Sequence, residues 1–243
     1  MGSRLLFLTL LFFPMTGFTA LDAGQIVNHA DRIINKPGGY EYLIEMEVMK
    51  KEKTEANYTI QSFFMEGNNR MLLVFIKPSR MRDQAILRNQ ENQWIYFPEL
   101  KRTMKISSRQ QLVGSDFSYG DVLNLNLIDD YDAKIVSENV KEQGYPCYQI
   151  ELTAKRPTAL YDKVEYLIRK NNYAPMKREF YTKSGNKLKE LTFFDHDAQG
   201  MPRQWKMSSL LMPGNITLMS IKETKKRPDL SNNYFTLEAL HRR

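Results

Sequence analysis

The stretch Tyr40-Glu41-Tyr42-Leu43-Ile44-Glu45-Met46-Glu47-Val48 decides the fold class. Apolar side chains at Tyr40, Tyr42, Ile44, Met46 and Val48 alternate with Glu41, Glu45 and Glu47. Successive side chains of an extended strand point to opposite faces, so this stretch reads as a β-strand with one apolar and one charged face.

The same alternation recurs in both directions. Tyr148, Ile150, Leu152 and Ala154 alternate with Gln149, Glu151 and Thr153. Val164, Tyr166 and Ile168 alternate with Glu165 and Arg169. Trp205, Met207, Ser209 and Leu211 precede the turn Met212-Pro213-Gly214-Asn215, and Ile216, Leu218 and Ser220 follow it. Turn formers recur at Glu66-Gly67-Asn68, Lys77-Pro78, Asn89 to Asn92, Gln143-Gly144, Asn171-Asn172, Ser184-Gly185-Asn186 and Gln199-Gly200. That rhythm means hairpins in a meander rather than βαβ crossovers. It predicts roughly eleven to thirteen strands, and so many strands in one sheet must curl or close. Met71 to Ile76 and Trp94 to Phe97 are apolar on both faces. Such strands lie between two apolar surfaces, either a covered concave face or ordinary sandwich packing.

Three segments depart from the strand pattern. Asp22 to Lys36 suits an amphipathic helix with Ile26, Ala30, Ile33 and Ile34 on one face, Asp22 as its cap and Pro37-Gly38-Gly39 as its stop. Residues 107–130 combine the polar run Ser107 to Gln111, the turn-rich run Gly114 to Asp121 and an apolar stretch at Val122, Leu123, Leu125, Leu127 and Ile128. A long non-strand insertion in a meander reads as a lid or binding loop. Ser231 to Arg243 suits a short helix capped by Ser231, with Phe235, Leu237 and Leu240 docking. No linker, repeat or low-complexity tract interrupts residues 21–243, which read as a single domain.

The first twenty residues read as an export signal. A basic start at Arg4 leads into the apolar run Leu5 to Phe13, broken by Pro14 and Gly17 and followed by Thr19, Ala20 and Ala23. The run is shorter than the roughly 20 residues that span a bilayer. Cleavage near Ala20 fits the small residues there, although Phe18 stands where another small residue is preferred; the alternative is an uncleaved anchor. No cysteine lies near the junction, so lipidation there is not expected. The mature chain is expected in the periplasm of a double-membraned bacterium.

The composition, 42% apolar over 243 residues, is ample for one core and too low for a multi-span membrane protein. A formal charge of +7 suits an anionic partner such as lipid head groups or nucleic acid, and export argues against nucleic acid. The densest basic run, Lys222 to Arg227, reads as a solvated edge, with a membrane-surface patch as the alternative. Catalytic signals are weak. The single cysteine, Cys147, and the three histidines, His29, His196 and His241, show no nucleophile–base spacing. Asp195-His196-Asp197 reads as a polar turn rather than a metal site, and Asp129, Asp130 and Asp132 lack the Gly and distal Glu of a calcium loop. Gly114-Ser115-Asp116 is not a nucleophile elbow. No catalytic residue, metal or cofactor is expected. Thirteen each of Phe, Tyr and Met sit mostly on strands, either as core or as an adaptable apolar binding surface.

A family resemblance runs through Asn69 to Phe75, Lys77-Pro78, Ala85-Ile86-Leu87, Trp94-Ile95-Tyr96-Phe97-Pro98, Arg102, Ile106 and Ser107-Ser108-Arg109. It continues through Gly114-Ser115-Asp116-Phe117-Ser118-Tyr119-Gly120-Asp121, Tyr131-Asp132, Tyr161 to Val164, Tyr173 to Lys177 and Phe235-Thr236-Leu237. Together these stretches resemble the periplasmic outer membrane lipoprotein-sorting protein family, related to LolA. The resemblance implies a mainly β fold: a single curved antiparallel sheet of about 11 strands forming an unclosed half β-barrel, with helices over its concave face. It also implies a non-enzymatic carrier or chaperone that holds acyl chains of a lipid or lipidated protein in an apolar cavity. An inner-membrane exporter and an outer-membrane acceptor are its implied partners, and a monomer is expected.

The cavity lining expected on this basis comprises Tyr42, Ile44, Met46, Phe64, Leu73 and Phe75 from the first half of the sheet. Trp94, Tyr96, Phe117, Leu123, Tyr148, Ile150, Tyr166, Trp205 and Met207 complete it, with Arg109, Asp116 and Tyr119 at the rim or pinning the lid. The alternative is a protein–protein adaptor of an envelope export system, with the same fold and a filled core.

Overall fold

The computed structural model describes residues 21–65, 70–123 and 126–241; the expected signal segment, the Glu66-Gly67-Asn68 turn and Leu125 lie outside the described residues. Thirteen strands form one antiparallel sheet. The first meander comprises β1 (Gly39–Lys50), β2 (Lys53–Met65), β3 (Arg70–Lys77), β4 (Ala85–Asn89), β5 (Asn92–Phe97) and β6 (Arg102–Lys105). The second comprises β7 (Tyr131–Glu142), β8 (Tyr145–Ala154), β9 (Lys163–Arg169), β10 (Pro175–Tyr181), β11 (Lys187–His196), β12 (Pro202–Ser209) and β13 (Asn215–Lys226). The order β6-β5-β4-β3-β2-β1-β13-β12-β11-β10-β9-β8-β7 leaves β6 and β7 as unjoined edges, so the sheet stays an open half-barrel. The two meanders meet where β1 pairs with β13 along almost its whole length, from Tyr40 opposite Lys226 to Lys50 opposite Asn215.

The turns expected from sequence make this order. Gln143 (φ 49°) and Gly144 (φ 82°) both adopt the left-handed region between β7 and β8, the requirement of a tight two-residue hairpin whose twist matches its strands. The strongly basic end of β13 is a solvated edge: Lys222 pairs with Glu45 at 3.1 Å and Lys225 with Glu223 at 3.1 Å.

Helix α1 (Ala23–Ile34) lies over the inner face of the sheet and packs against β7, β9 and β10. Asp22 caps it as expected: its side chain accepts from the Gln25 N–H at 2.8 Å, and the Gln25 side chain accepts from the Asp22 N–H at 3.0 Å. Its inward stripe, Ile26, Val27, Ala30 and Ile34, is buried. Residues 107–130 cross the same face and contain α2 (Tyr119–Leu123) and α3 (Leu127–Asp130).

The double-sided apolar strands have a specific cause. Met71, Leu73 and Phe75 of β3 face the inner core, while Leu72 and Val74 face an outer cluster with Phe63, Ala85, Leu87 and Tyr96. The C-terminal tail covers that outer cluster with Leu230, Phe235 and Leu240. The tail departs from expectation in two ways: Ser231 makes no side-chain capping bond, and Leu237 of α4 (Leu237–His241) is exposed while Phe235 and Leu240 dock.

Candidate ligand pocket

On the inner face, β1, β2, β3, β12 and β13 bound a small apolar cavity of about 70 Å³. Its sheet wall is made by Tyr42 and Ile44 on β1, Ile60, Ser62 and Phe64 on β2, and Met71 and Leu73 on β3. Trp205 on β12 and Met219 and Ile221 on β13 continue the wall, together with Met201. Ile34 at the end of α1 and Val122 of α2 close it from above. Among the described lining residues, the only side chains with hydrogen-bonding groups are Tyr42, Ser62 and Trp205, whose indole N–H donates to the Pro202 carbonyl at 3.4 Å.

The other half of the inner face, under β9 to β11, is filled and braced by polar groups. The Arg178 guanidinium donates to Asp31 of α1 at 2.9 Å and to the Tyr166 hydroxyl at 2.9 Å. Asp31 also accepts from the Leu127 N–H at 2.7 Å, which ties α1 to α3, and Asn35 donates to Asn126 at 2.8 Å. Asp121 of α2 accepts from Ser118, from the Tyr161 hydroxyl at 2.7 Å and from Lys189 at 2.5 Å. Arg88 of β4 donates to the Leu123 carbonyl at the end of α2. Helices α1 and α2 are thus each clamped to a strand by a charged group, α3 is tied to α1 through Asp31, and the apolar cavity lies beside these clamps.

Burial pushes the Asp31 carboxyl up to about 6 from its usual 3.8, against the pull of Arg178 and the Leu127 N–H. Arg178 is held above its usual range against the cost of burial, by Tyr166 first and then by Asp31. Folding therefore holds a proton on Asp31 between 3.8 and about 6. The stability this residue contributes is full below that window, falls as pH rises through it and is flat above it. At about 1.4 kcal/mol per pH unit the fall is about 3 kcal/mol. Glu179 opposes this trend: against the cost of burial, hydrogen bonds from Lys187, Tyr181 and Lys177 hold it down to about 2. The useful quantity is therefore a difference. In urea unfolding, the stability of the wild type minus that of Asp31→Asn is expected to shrink by about 2.4 kcal/mol between pH 4 and pH 7. A difference that is constant or grows over that range contradicts the assignment.

Of the residues singled out from sequence, Tyr42, Ile44, Phe64, Leu73 and Trp205 line the cavity. Met46, Phe75, Phe117, Leu123, Ile150, Tyr166 and Met207 are buried in the surrounding inner core, with Tyr148 half-buried against it, and none of these is on the cavity wall. Trp94 and Tyr96 need correction. They lie on the outer face in the cluster under the C-terminal tail, because β5 turns Ile95 and Phe97 inward instead. Tyr119, the first residue of α2 in the 107–130 segment, is buried in the inner core rather than exposed at a rim, and it is not on the cavity wall. Arg109 and Asp116 pin the loop: Arg109 donates to the Pro157 and Ala159 carbonyls, each at 3.0 Å. Asp116 and Thr217 bond reciprocally at 2.9 and 2.8 Å. Both also border a separate, more open and polar recess of about 360 Å³, together with Lys189 and the exposed Leu211 and Met212.

Sequence reading missed Ile34, Ile60, Ser62, Met71, Val122, Met201, Met219 and Ile221 on the cavity wall. Strand alternation was a usable signal for Ile60 and Ser62, which share the face of Phe64, and for Met71, which shares that of Leu73. On β13 the apparent apolar face was the wrong one. Thr217, Met219 and Ile221 point inward rather than Ile216 and Leu218, and the inward Thr217 bonds Asp116. Among the described residues no three or more His, Cys, Asp or Glu are placed to hold a metal ion, and no helix is long and apolar enough to cross a membrane.

An open antiparallel half-barrel with clamped helices over an apolar hollow defines the LolA-like class. Solved structures agree. A LolA superfamily protein from Nitrosomonas europaea superposes with TM-score 0.79 at 26% identity, covering 90% of this chain and 100% of that one. An outer membrane lipoprotein-sorting protein domain from Vibrio parahaemolyticus gives 0.78 at 23% identity, covering 90% and 98%. A DUF1329 family protein from Desulfovibrio piger gives 0.78 at 21% identity, covering 90% and 99%. The chain belongs to the family whose profile matches residues 67–242 and is described only as an uncharacterized protein. No curated protein matches the chain.

Proposed function

We propose that this protein is a periplasmic, non-enzymatic carrier that shields an acyl chain of a lipid or lipidated protein on its way between an inner-membrane exporter and an outer-membrane acceptor. The observation that carries the reading is the cavity: almost wholly apolar, and closed by Ile34 of α1 and Val122 of α2 rather than by the sheet itself. Each methylene moved into it gains about 0.8 kcal/mol, so the roughly three that a hollow of about 70 Å³ holds gain about 2.4 kcal/mol, and an eight-carbon stretch gains about 6 kcal/mol only once the hollow has widened, before association costs. Polar groups at the rim have little work to do at that affinity. The resting cavity accommodates a short acyl segment, and a longer chain requires α1 and α2 to separate from the sheet. The polar clamps beneath them set the cost of that opening.

Likeness to the Nitrosomonas LolA superfamily protein supports a carrier over an adaptor with a filled core, since the filling here is confined to one half of the inner face. The deciding experiment measures displacement of a fluorescent fatty acid from delipidated protein by fatty acyl esters of increasing length. Saturable displacement, with lipid found in native mass spectra of periplasmic material, is the expected result. Protein that neither binds the fluorophore nor carries lipid contradicts the carrier and leaves the adaptor reading.

A further inference from the structure

Within the apolar cavity one polar group is unexplained. Tyr42 lines the cavity and is only 7% exposed, yet its hydroxyl is buried with no hydrogen-bond partner among the described residues. A buried donor left unpaired is costly, and folded proteins rarely keep one without a use. The ring is held in place: Tyr40 stacks on it with centroids 6.1 Å apart and planes 18° apart. Directly across on β2 is Ser62, the other polar side chain of the wall, itself 3% exposed. The wall therefore has one polar spot in an otherwise oily surface, carried on β1 and β2, the strands at the centre of the sheet. Burial raises the Tyr42 pKa well above the usual tyrosine range, so the group is a donor at any physiological pH.

We propose that the cavity selects an acyl chain bearing a neutral carbonyl, an ester or an amide, whose oxygen accepts the hydrogen bond that the Tyr42 hydroxyl does not find among the described residues. This rests on the carrier reading and narrows its ligand. A plain hydrocarbon would leave the hydroxyl unpaired. A carboxylate would accept the bond but would have to leave water for a cavity with no cation among the described residues of its wall, which is far costlier than moving a neutral ester.

The test compares methyl octanoate with undecane, a hydrocarbon of similar length, on wild type and on Tyr42→Phe, with octanoate as a third ligand. Methyl octanoate is expected to bind Tyr42→Phe about three- to tenfold more weakly than wild type, while undecane binds both equally. Octanoate is expected to bind wild type more weakly than its ester. The ligand-free variant is expected to melt no lower than wild type, since it loses an unpaired donor rather than a bond. The bound ester's carbonyl stretch in the infrared is expected to move to lower frequency in wild type, a readout that needs no variant. Equal ester binding to both proteins, or an unshifted carbonyl band, overturns the inference and leaves the carrier standing. No binding of ester or undecane to wild type overturns the carrier reading itself.

Discussion

Exchanging Ile44 for tryptophan is expected to weaken acyl-chain binding about fifty-fold while leaving the protein folded, because the indole displaces about three ligand methylenes worth about 2.4 kcal/mol. Ile44 is a suitable position because it lines the cavity yet is only half-buried, so the larger ring can fill the hollow without forcing the core apart. The paired control is Trp94→Phe. Trp94 is also a large apolar strand residue, but it packs on the outer face under the C-terminal tail. Its exchange is expected to change stability slightly and acyl binding not at all. Binding by fluorescence titration, with circular dichroism to verify the fold, separates the two faces. Equal losses from both variants would mean that the hollow on the inner face is not where the ligand sits.

The second large effect concerns the clamp on α1. Arg178→Leu is expected to cost about 3–5 kcal/mol in urea unfolding at neutral pH, because it strands the buried Asp31 carboxylate without its counter-ion. Arg178 and Asp31 are 4% and 2% exposed, and the guanidinium also lies over the Tyr166 ring at 4.4 Å, so water cannot easily replace it. Removing both charges, as Asp31→Leu with Arg178→Met, is expected to restore most of the loss, since the buried pair offsets its own desolvation rather than adding a large surplus. A double variant as unstable as Arg178→Leu alone would show that packing around Tyr166, not charge, carries the effect.

Much of the fold was legible because a half-buried antiparallel sheet writes itself as alternation and turns. The Tyr40 to Val48 pattern, the Gln143-Gly144 hairpin and the Asp22 cap each stand where the sequence puts them. The candidate site was less legible. Alternation gives the two faces of a strand but does not say which is concave when both are apolar, and β5 shows the result: Trp94 and Tyr96 face the tail. On β13 the inward face carries the polar Thr217, which bonds Asp116, beside Met219 and Ile221, so the local apolar alternation pointed to the outer face instead. The Arg178–Asp31 pair joins residues far apart in the chain, and nothing local to either one marks it. Met201, in the turn before β12, came to the cavity wall through tertiary packing that no periodicity reports.

Photolabelling puts the claim of an acyl-binding hollow to its most direct test. The protein is irradiated with a fatty acyl ester carrying a diazirine near the chain end, and the labelled peptides are identified by mass spectrometry. Label on the segments that contain Tyr42, Phe64, Leu73 and Trp205, competed away by unlabelled methyl octanoate, is the predicted result. Label confined to the exposed Leu211–Met212 tip, or label that excess unlabelled ester does not diminish, would contradict it.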